Sequence, residues 1–312
     1  MHLILDTIQI GPTRARGEIR LPPSTQEPIR AALQGTVLDL SAQLERKPPT
    51  RPAGAREEPG TPFIADVQFD KVLLSGERSI GAVTAHAEND GRRLSVLHVQ
   101  STGREQVRLD MVPRGNGRAV TLRSADAGGL ARALDVIDTV DGGTLALDGQ
   151  YDDTQPDPPL SGTVAMADFH VREAPGVGKL LQALTVYGIG EAMSGPGLSF
   201  SQLTAPFRWH GGVLTVEDAR AFSASLGLTA AGRIDTRAKT VDLKGTVVPA
   251  YALNSALGRI PVIGGLFSAE RGGGLVAVNY GYRGPLANPT VVVNPLSALT
   301  PGFLRGLFKI FD

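Results

Sequence analysis

Apolar and polar residues alternate along most of the chain, and Gly, Asn, Asp and Pro break the alternation at short intervals. Period-two patterning places successive side chains on opposite faces of an extended segment, so it predicts half-buried strands. Leu3–Ile10, Gly17–Leu21 and Thr36–Leu44 have this character near the N-terminus. Beyond Phe63, Asn89-Asp90-Gly91 lies between Ile80–Ala87 and Leu94–Val99, and Arg114-Gly115-Asn116-Gly117 lies between Val107–Val112 and Ala119–Leu122. Asn, Asp and Gly tolerate positive φ, so both pairs read as antiparallel hairpins. Further strands are expected at Leu145–Tyr151 and Gly162–Val171, and at least four between Phe200 and Val248, with a turn at Asp235–Ala238.

Helical periodicity is sparse. Ser124 and Asp126 are placed to cap a helix over Ala127–Ile137, with Leu130, Leu134 and Ile137 on one face and Gly142-Gly143 ending it. A second helix is expected at Val177–Val186 and a third at Leu253–Ile260, stopped by Pro261. Three short helices cannot cover the apolar face of a dozen or more strands. That face closes on itself, meets another sheet or lines a groove.

Lys47–Pro62 interrupts the pattern, because Pro48, Pro49, Pro52, Pro59 and Pro62 stand among Arg51, Arg56, Glu57 and Glu58 without core-forming residues. It reads as a linker or loop between a partial N-terminal β segment, 1–46, and a main β region, 63–312. The chain ends in an amphipathic stretch. Wound at helical pitch, Phe303, Leu304, Leu307, Phe308, Ile310 and Phe311 share one arc, with Arg305, Lys309 and Asp312 opposite. A helix this short needs a surface, either the protein's own sheet or a bilayer interface, which makes Phe303, Leu304, Arg305, Leu307, Phe308, Lys309 and Phe311 the membrane-contact candidates.

Lys+Arg 31 against Asp+Glu 31 leaves no net field to attract nucleic acid. The absence of cysteine removes disulfides and thiolate metal sites, and Gly 38 with Pro 22 favours many turns between short strands. The first ten residues lack the basic region and small-residue cleavage site of a signal peptide, and no apolar run approaches the ~18 residues of a membrane span.

Candidate chemistry is thin. The five histidines have no metal-site spacing, although His86 and His98 face each other across the hairpin at Asn89–Gly91, where they read as surface strand residues. Asp152, Asp153 and Asp157 make a solvated turn without the ligand spacing of a calcium loop. Gly272-Gly273-Gly274 is not followed by the Gly-Lys-Ser/Thr of a phosphate loop, and Ser194 lacks the nucleophile-elbow pattern. No acid, base and nucleophile set converges, so the expectation is a non-enzymatic protein without a cofactor. The apolar alternations Leu145, Leu147, Phe207, Trp209, Leu226, Leu228, Val241, Leu243, Val276 and Val278 are expected on one continuous face, as ordinary core or as the lining of a groove.

From Gly284 the run Gly-Pro-Leu-Ala-Asn-Pro-Thr-Val-Val-Val-Asn-Pro-Leu-Ser-Ala-Leu-Thr-Pro-Gly-Phe-Leu-Arg resembles the end of the AsmA-like C-terminal region of bacterial envelope proteins, whose long members include the YhdP type. Blocks in matching order upstream include Ser124-Ala125-Asp126-Ala127-Gly128, Asp168-Phe169-His170, Gly232-Arg233-Ile234-Asp235, Pro249-Ala250-Tyr251 and Ile260-Pro261-Val262-Ile263-Gly264, so the likeness runs from about residue 63 to the end. The resemblance implies a mainly β, elongated, curved, antiparallel-dominated sheet with an apolar groove. It also implies phospholipid or another acyl lipid as ligand, a membrane surface and envelope proteins as partners, and a place on the periplasmic face of the inner membrane as part of a longer or anchored protein. Resemblance to the related TamB type implies the alternative, a structural or assembly module of outer-membrane biogenesis.

Overall fold

The computed structural model describes residues 1–24, 26–45, 60–172, 197–223, 226–249 and 278–294. The protein is mainly β and divides into two compact units, Met1–Leu160 and Ser161–Asp312.

In the first unit, β1 (His2–Ile10), β2 (Thr13–Arg20), β3 (Ile29–Asp39), β4 (Phe63–Ser75), β5 (Arg78–Asn89), β6 (Leu94–Ser101), β7 (Arg108–Arg114), β8 (Gly117–Ser124) and β9 (Val140–Asp152) lie side by side in chain order. Every pair is antiparallel except β3 and β4, which run parallel from Ile29↔Phe63 to Asp39↔Leu73. A parallel pair requires a crossover, which here lies between Asp39 and Phe63. The expected boundary at 47–62 therefore falls inside the first unit, whose sheet carries β1–β3 and β4–β9 together.

The third strand differs from the expected Thr36–Leu44. It begins at Ile29, and the chain turns at Asp39, whose carboxylate accepts from the Ser41 amide at 3.0 Å and the Ser41 hydroxyl at 2.5 Å. A short helix, α1 (Ser41–Glu45), follows. The hairpins at Asn89–Gly91 and Arg114–Gly117 form as expected, with Gly91 and Gly115 at φ 91° and 58°.

The helix expected over Ala127–Ile137 is shorter, α2 (Ala127–Ala133). Asp126 caps it by accepting from the Gly129 amide at 2.8 Å, whereas the Ser124 hydroxyl donates to the Glu105 carbonyl. The stop comes well before Gly142. Asp135 takes the left-handed conformation at φ 56°, its amide donates to Arg132 O, and the Val136 amide donates to Ala131 O. That pair of bonds is a Schellman cap, with Asp in the position that glycine usually holds and Arg78 pairing with its carboxylate. Leu130 is consequently buried, but Leu134 and Ile137, expected beside it, are 42% and 48% exposed.

The core of this unit gathers Ala15, Phe69, Val72, Leu74, Ile80, Val83 and Ala133, so α2 closes one end of the sheet's apolar face. Phe69 sits opposite Gly35, where a Cβ would approach its ring to 2.8 Å. The missing side chain of Gly35 is what admits the phenyl group.

The second unit carries β10 (Leu160–Arg172), β11 (Gly197–His210), β12 (Val213–Phe222), β13 (Leu226–Asp235), β14 (Thr240–Pro249), β15 (Val278–Pro285) and β16 (Thr290–Asn294), again in chain order. The pairs from β11 onward are antiparallel, and the expected turn at Asp235–Ala238 joins β13 to β14. Phe169 and Phe200 stack at 5.3 Å between centroids. The helices expected at Val177–Val186 and Leu253–Ile260, Val276 and the amphipathic tail lie outside the described residues. Among the described residues no helix is long and apolar enough to cross a membrane.

Candidate functional site

Strand register sorts the side chains of the first unit into two faces. One transverse row runs Leu5, Gly17, Leu33, Val67, Ala85, Val99, Leu109, Leu122, Leu147, each residue opposite the next. Direct cross-strand partners point the same way, so this is one apolar stripe across nine strands. All nine are half-buried, neither sealed nor fully exposed. Leu145 lies two residues before Leu147 and shares its face.

Along the strands, the apolar face is closed differently on the two sides of the stripe. Toward α2, Phe69, Val83 and Ala133 are buried. Toward the other end, Arg118 is only 9% exposed and lies on the same face as Val120. Its Nε and Nη2 each donate to Asp153 at 2.9 Å, Nη1 donates to the Leu94 carbonyl, and its guanidinium stacks 4.4 Å over the Tyr151 ring. Arg93 reaches Asp153 as well, at 2.9 Å. Burial alone would raise the Asp153 pKa, but the Arg118 and Arg93 guanidiniums more than offset it and hold the carboxyl below its usual range. Asp153, expected in a solvated turn, is thus the anchor of a buried ion pair.

In the second unit the same parity rule gathers most of the sequence candidates. Phe207 and Trp209 on β11 share a face with Leu214 and Val216, then Ile234, Val241 and Leu243. Leu226, Leu228, Val247, Val278 and Tyr280 continue that face along their strands. Leu226, Val241, Val247 and Val278 are buried, Phe207, Leu228 and Leu243 are half-buried, and Trp209 is at the surface. Arg208, Arg233, Asp242 and Arg283 align on the opposite face.

The polar face of the first unit holds a shallow depression of about 610 Å³. Ten of its fourteen lining residues come from two polar rows: Ala32, Asp66, His86, His98 and Asp110, and then Gln34, Gln68, Thr84, Gln100 and Arg108. His86 and His98 are direct cross-strand partners, as the hairpin predicts, with ring centroids 6.3 Å apart. Nδ1 of His86 lies 2.7 Å from Asp66, Nδ1 of His98 lies 2.7 Å from Asp110, and Nε2 of His86 lies 3.1 Å from Glu88. The Asp66 and Glu88 hydrogen bonds raise the His86 pKa, while the His98 hydrogen bond leads in lowering that of Asp110. The spacing of the hairpin showed the histidine pair, but the carboxylates on either side come from strands whose register the sequence does not display.

No family model, curated protein or solved structure matches the chain.

Proposed function

We propose that this chain is a non-enzymatic lipid-binding module of the bacterial cell envelope, in which apolar sheet faces hold the acyl chains of phospholipid or a similar lipid. The observation that carries the reading is the nine-residue row from Leu5 to Leu147, apolar across the whole first unit yet half-buried at every position. Each methylene laid against such a surface gains about 0.8 kcal/mol, so an acyl chain is retained without chemistry or nucleotide hydrolysis. The resemblance to AsmA-like proteins supports the same ligand class and a location at the periplasmic face of the inner membrane. In this reading the tail residues Phe303, Leu304, Arg305, Leu307, Phe308, Lys309 and Phe311 contact a membrane surface.

A second reading, an assembly module that adds client strands to its sheet, draws on the edge strand β1. Ile4 and Ile10 there are each 72% exposed. Protein purified without detergent, extracted with organic solvent and analysed by mass spectrometry separates the two. Stoichiometric phospholipid supports the first reading, and lipid-free protein that captures β-strand peptides along β1 supports the second.

A further inference from the structure

One rim of the first unit leaves aliphatic side chains in water. The cap that ends α2 turns Leu134, Val136 and Ile137 outward, and Val136 is 68% exposed. In a Schellman cap the residue at that position usually packs back onto the last turn of the helix, so Val136 departs from the motif. Arg78, beside the β4–β5 turn, fixes the cap by donating to the Arg132 carbonyl at 3.1 Å and pairing with Asp135. The projecting loop is held in place. α1 hangs from the same end of β4, where the Leu40 amide donates to the Leu73 carbonyl at 2.9 Å, and its Leu44 is 56% exposed. Four large aliphatic groups thus project at one end of the strands.

Exposed apolar patches of this kind mark contacts. A stable protein interface takes about 20–30 residues a side, far more than these four. The charges around the patch are already paired, Asp135 with Arg78 and Asp141 with Arg132, so moving it into an apolar medium isolates neither carboxylate. The four side chains stand on a helix-terminal loop and a short helix, which reach a fluid surface without needing a matching groove. We propose that this rim inserts into the interfacial layer of a lipid bilayer, through Leu134, Val136 and Ile137 with Leu44 beside them. The ligand class rests on the lipid-binding reading, but the residues are ones that neither the nine-strand row nor the tail supplies. Paired charges leave no cationic excess at the rim, so insertion is apolar and does not need anionic headgroups.

The full chain should float with phosphatidylcholine vesicles, and binding should persist between about 0.1 M and 1 M salt, where headgroup electrostatics is progressively screened. Val136→Ser combined with Ile137→Ser should weaken vesicle binding about tenfold or more at an unchanged melting temperature. The chain has no cysteine, so Val136→Cys accepts a single NBD fluorophore. Its emission should shift to the blue on vesicle addition and be quenched by spin-labelled lipid, and the same label at Gln100→Cys should do neither. If the double serine variant unfolds, the Val136 label decides alone. Absence of vesicle binding, equal binding by the folded serine variant, or an unshifted Val136 label on bound protein would overturn the proposal. A blue shift without vesicles, in protein of dimer mass, would also overturn it by assigning the rim to a second copy. Phospholipid that co-purifies while the Val136 label stays unshifted would remove this contact and leave the lipid-binding reading standing.

Discussion

The Tyr280 phenol donates a 2.8 Å hydrogen bond to the main-chain carbonyl of Thr229, two strands away across Gly245. A Cβ at Gly245 would come within 2.8 Å of that phenol oxygen and 1.8 Å of the Thr229 carbonyl. Thr229 is also where its hydroxyl, rather than its carbonyl, accepts the Thr246 amide, at 3.0 Å. The tyrosine hydroxyl thus takes the carbonyl that the neighbouring strand leaves. Tyr280→Phe should cost about 1–2 kcal/mol in urea unfolding, since it orphans a buried acceptor. Gly245→Ala should cost more, because backbone as well as the phenol must move. Burial drives the phenol pKa far above its ordinary value. Absorbance at alkaline pH should therefore show Tyr280 ionising only when the second unit unfolds, and an ordinary tyrosine titration in folded protein would contradict the contact.

Removal of the Asp153 carboxylate leaves the Arg118 guanidinium buried with half its partners gone. Asp153→Asn should destabilise the protein by about 3 kcal/mol, while Arg118→Met, which keeps the volume and removes the charge, should cost less. The pH dependence follows from the lowered carboxyl pKa. Its stabilisation is present above the ordinary carboxylate value and is lost as pH falls through the lower, folded value. The Asn variant should therefore show a shallower loss of stability in acid, measured by denaturant midpoints from pH 6 downward.

His86 predicts the opposite sign. Its pKa is raised by Asp66 and then Glu88, so the stabilisation is full below the ordinary imidazole value of about 6.5 and disappears as pH rises through the higher folded value. The His86 proton resonance should titrate above that ordinary value, and Asp66→Asn should bring the midpoint back toward it. An unchanged midpoint would show that Asp66 does not hold the ring.

Hairpins were legible because their determinants are local: Asn89-Asp90-Gly91 and Arg114–Gly117 carry the residues that positive φ requires. The end of α2 was not, since Asp135 adopts a glycine-like conformation that its residue type does not announce, and its partner Arg78 is far away in sequence. The parallel pairing of β3 with β4 was equally hidden, because no local signal in either strand shows that Ile29 lies beside Phe63. Shared faces were recoverable within each strand, as for Leu226 and Leu228. The nine-strand row and the carboxylates beside the histidines depend on cross-strand register, which no single segment encodes.

The most direct test of lipid binding by the apolar faces is photocrosslinking in cell-envelope preparations, with a benzophenone amino acid at one position at a time. Leu109, Leu147 and Leu243 sample the apolar faces, and Gln100 and Lys244 sample the polar ones. The account predicts lipid adducts, detected by mass shift, at the three leucine positions and none at Gln100 or Lys244. Adducts of equal yield on both faces, or none at Leu109, Leu147 and Leu243, would contradict it.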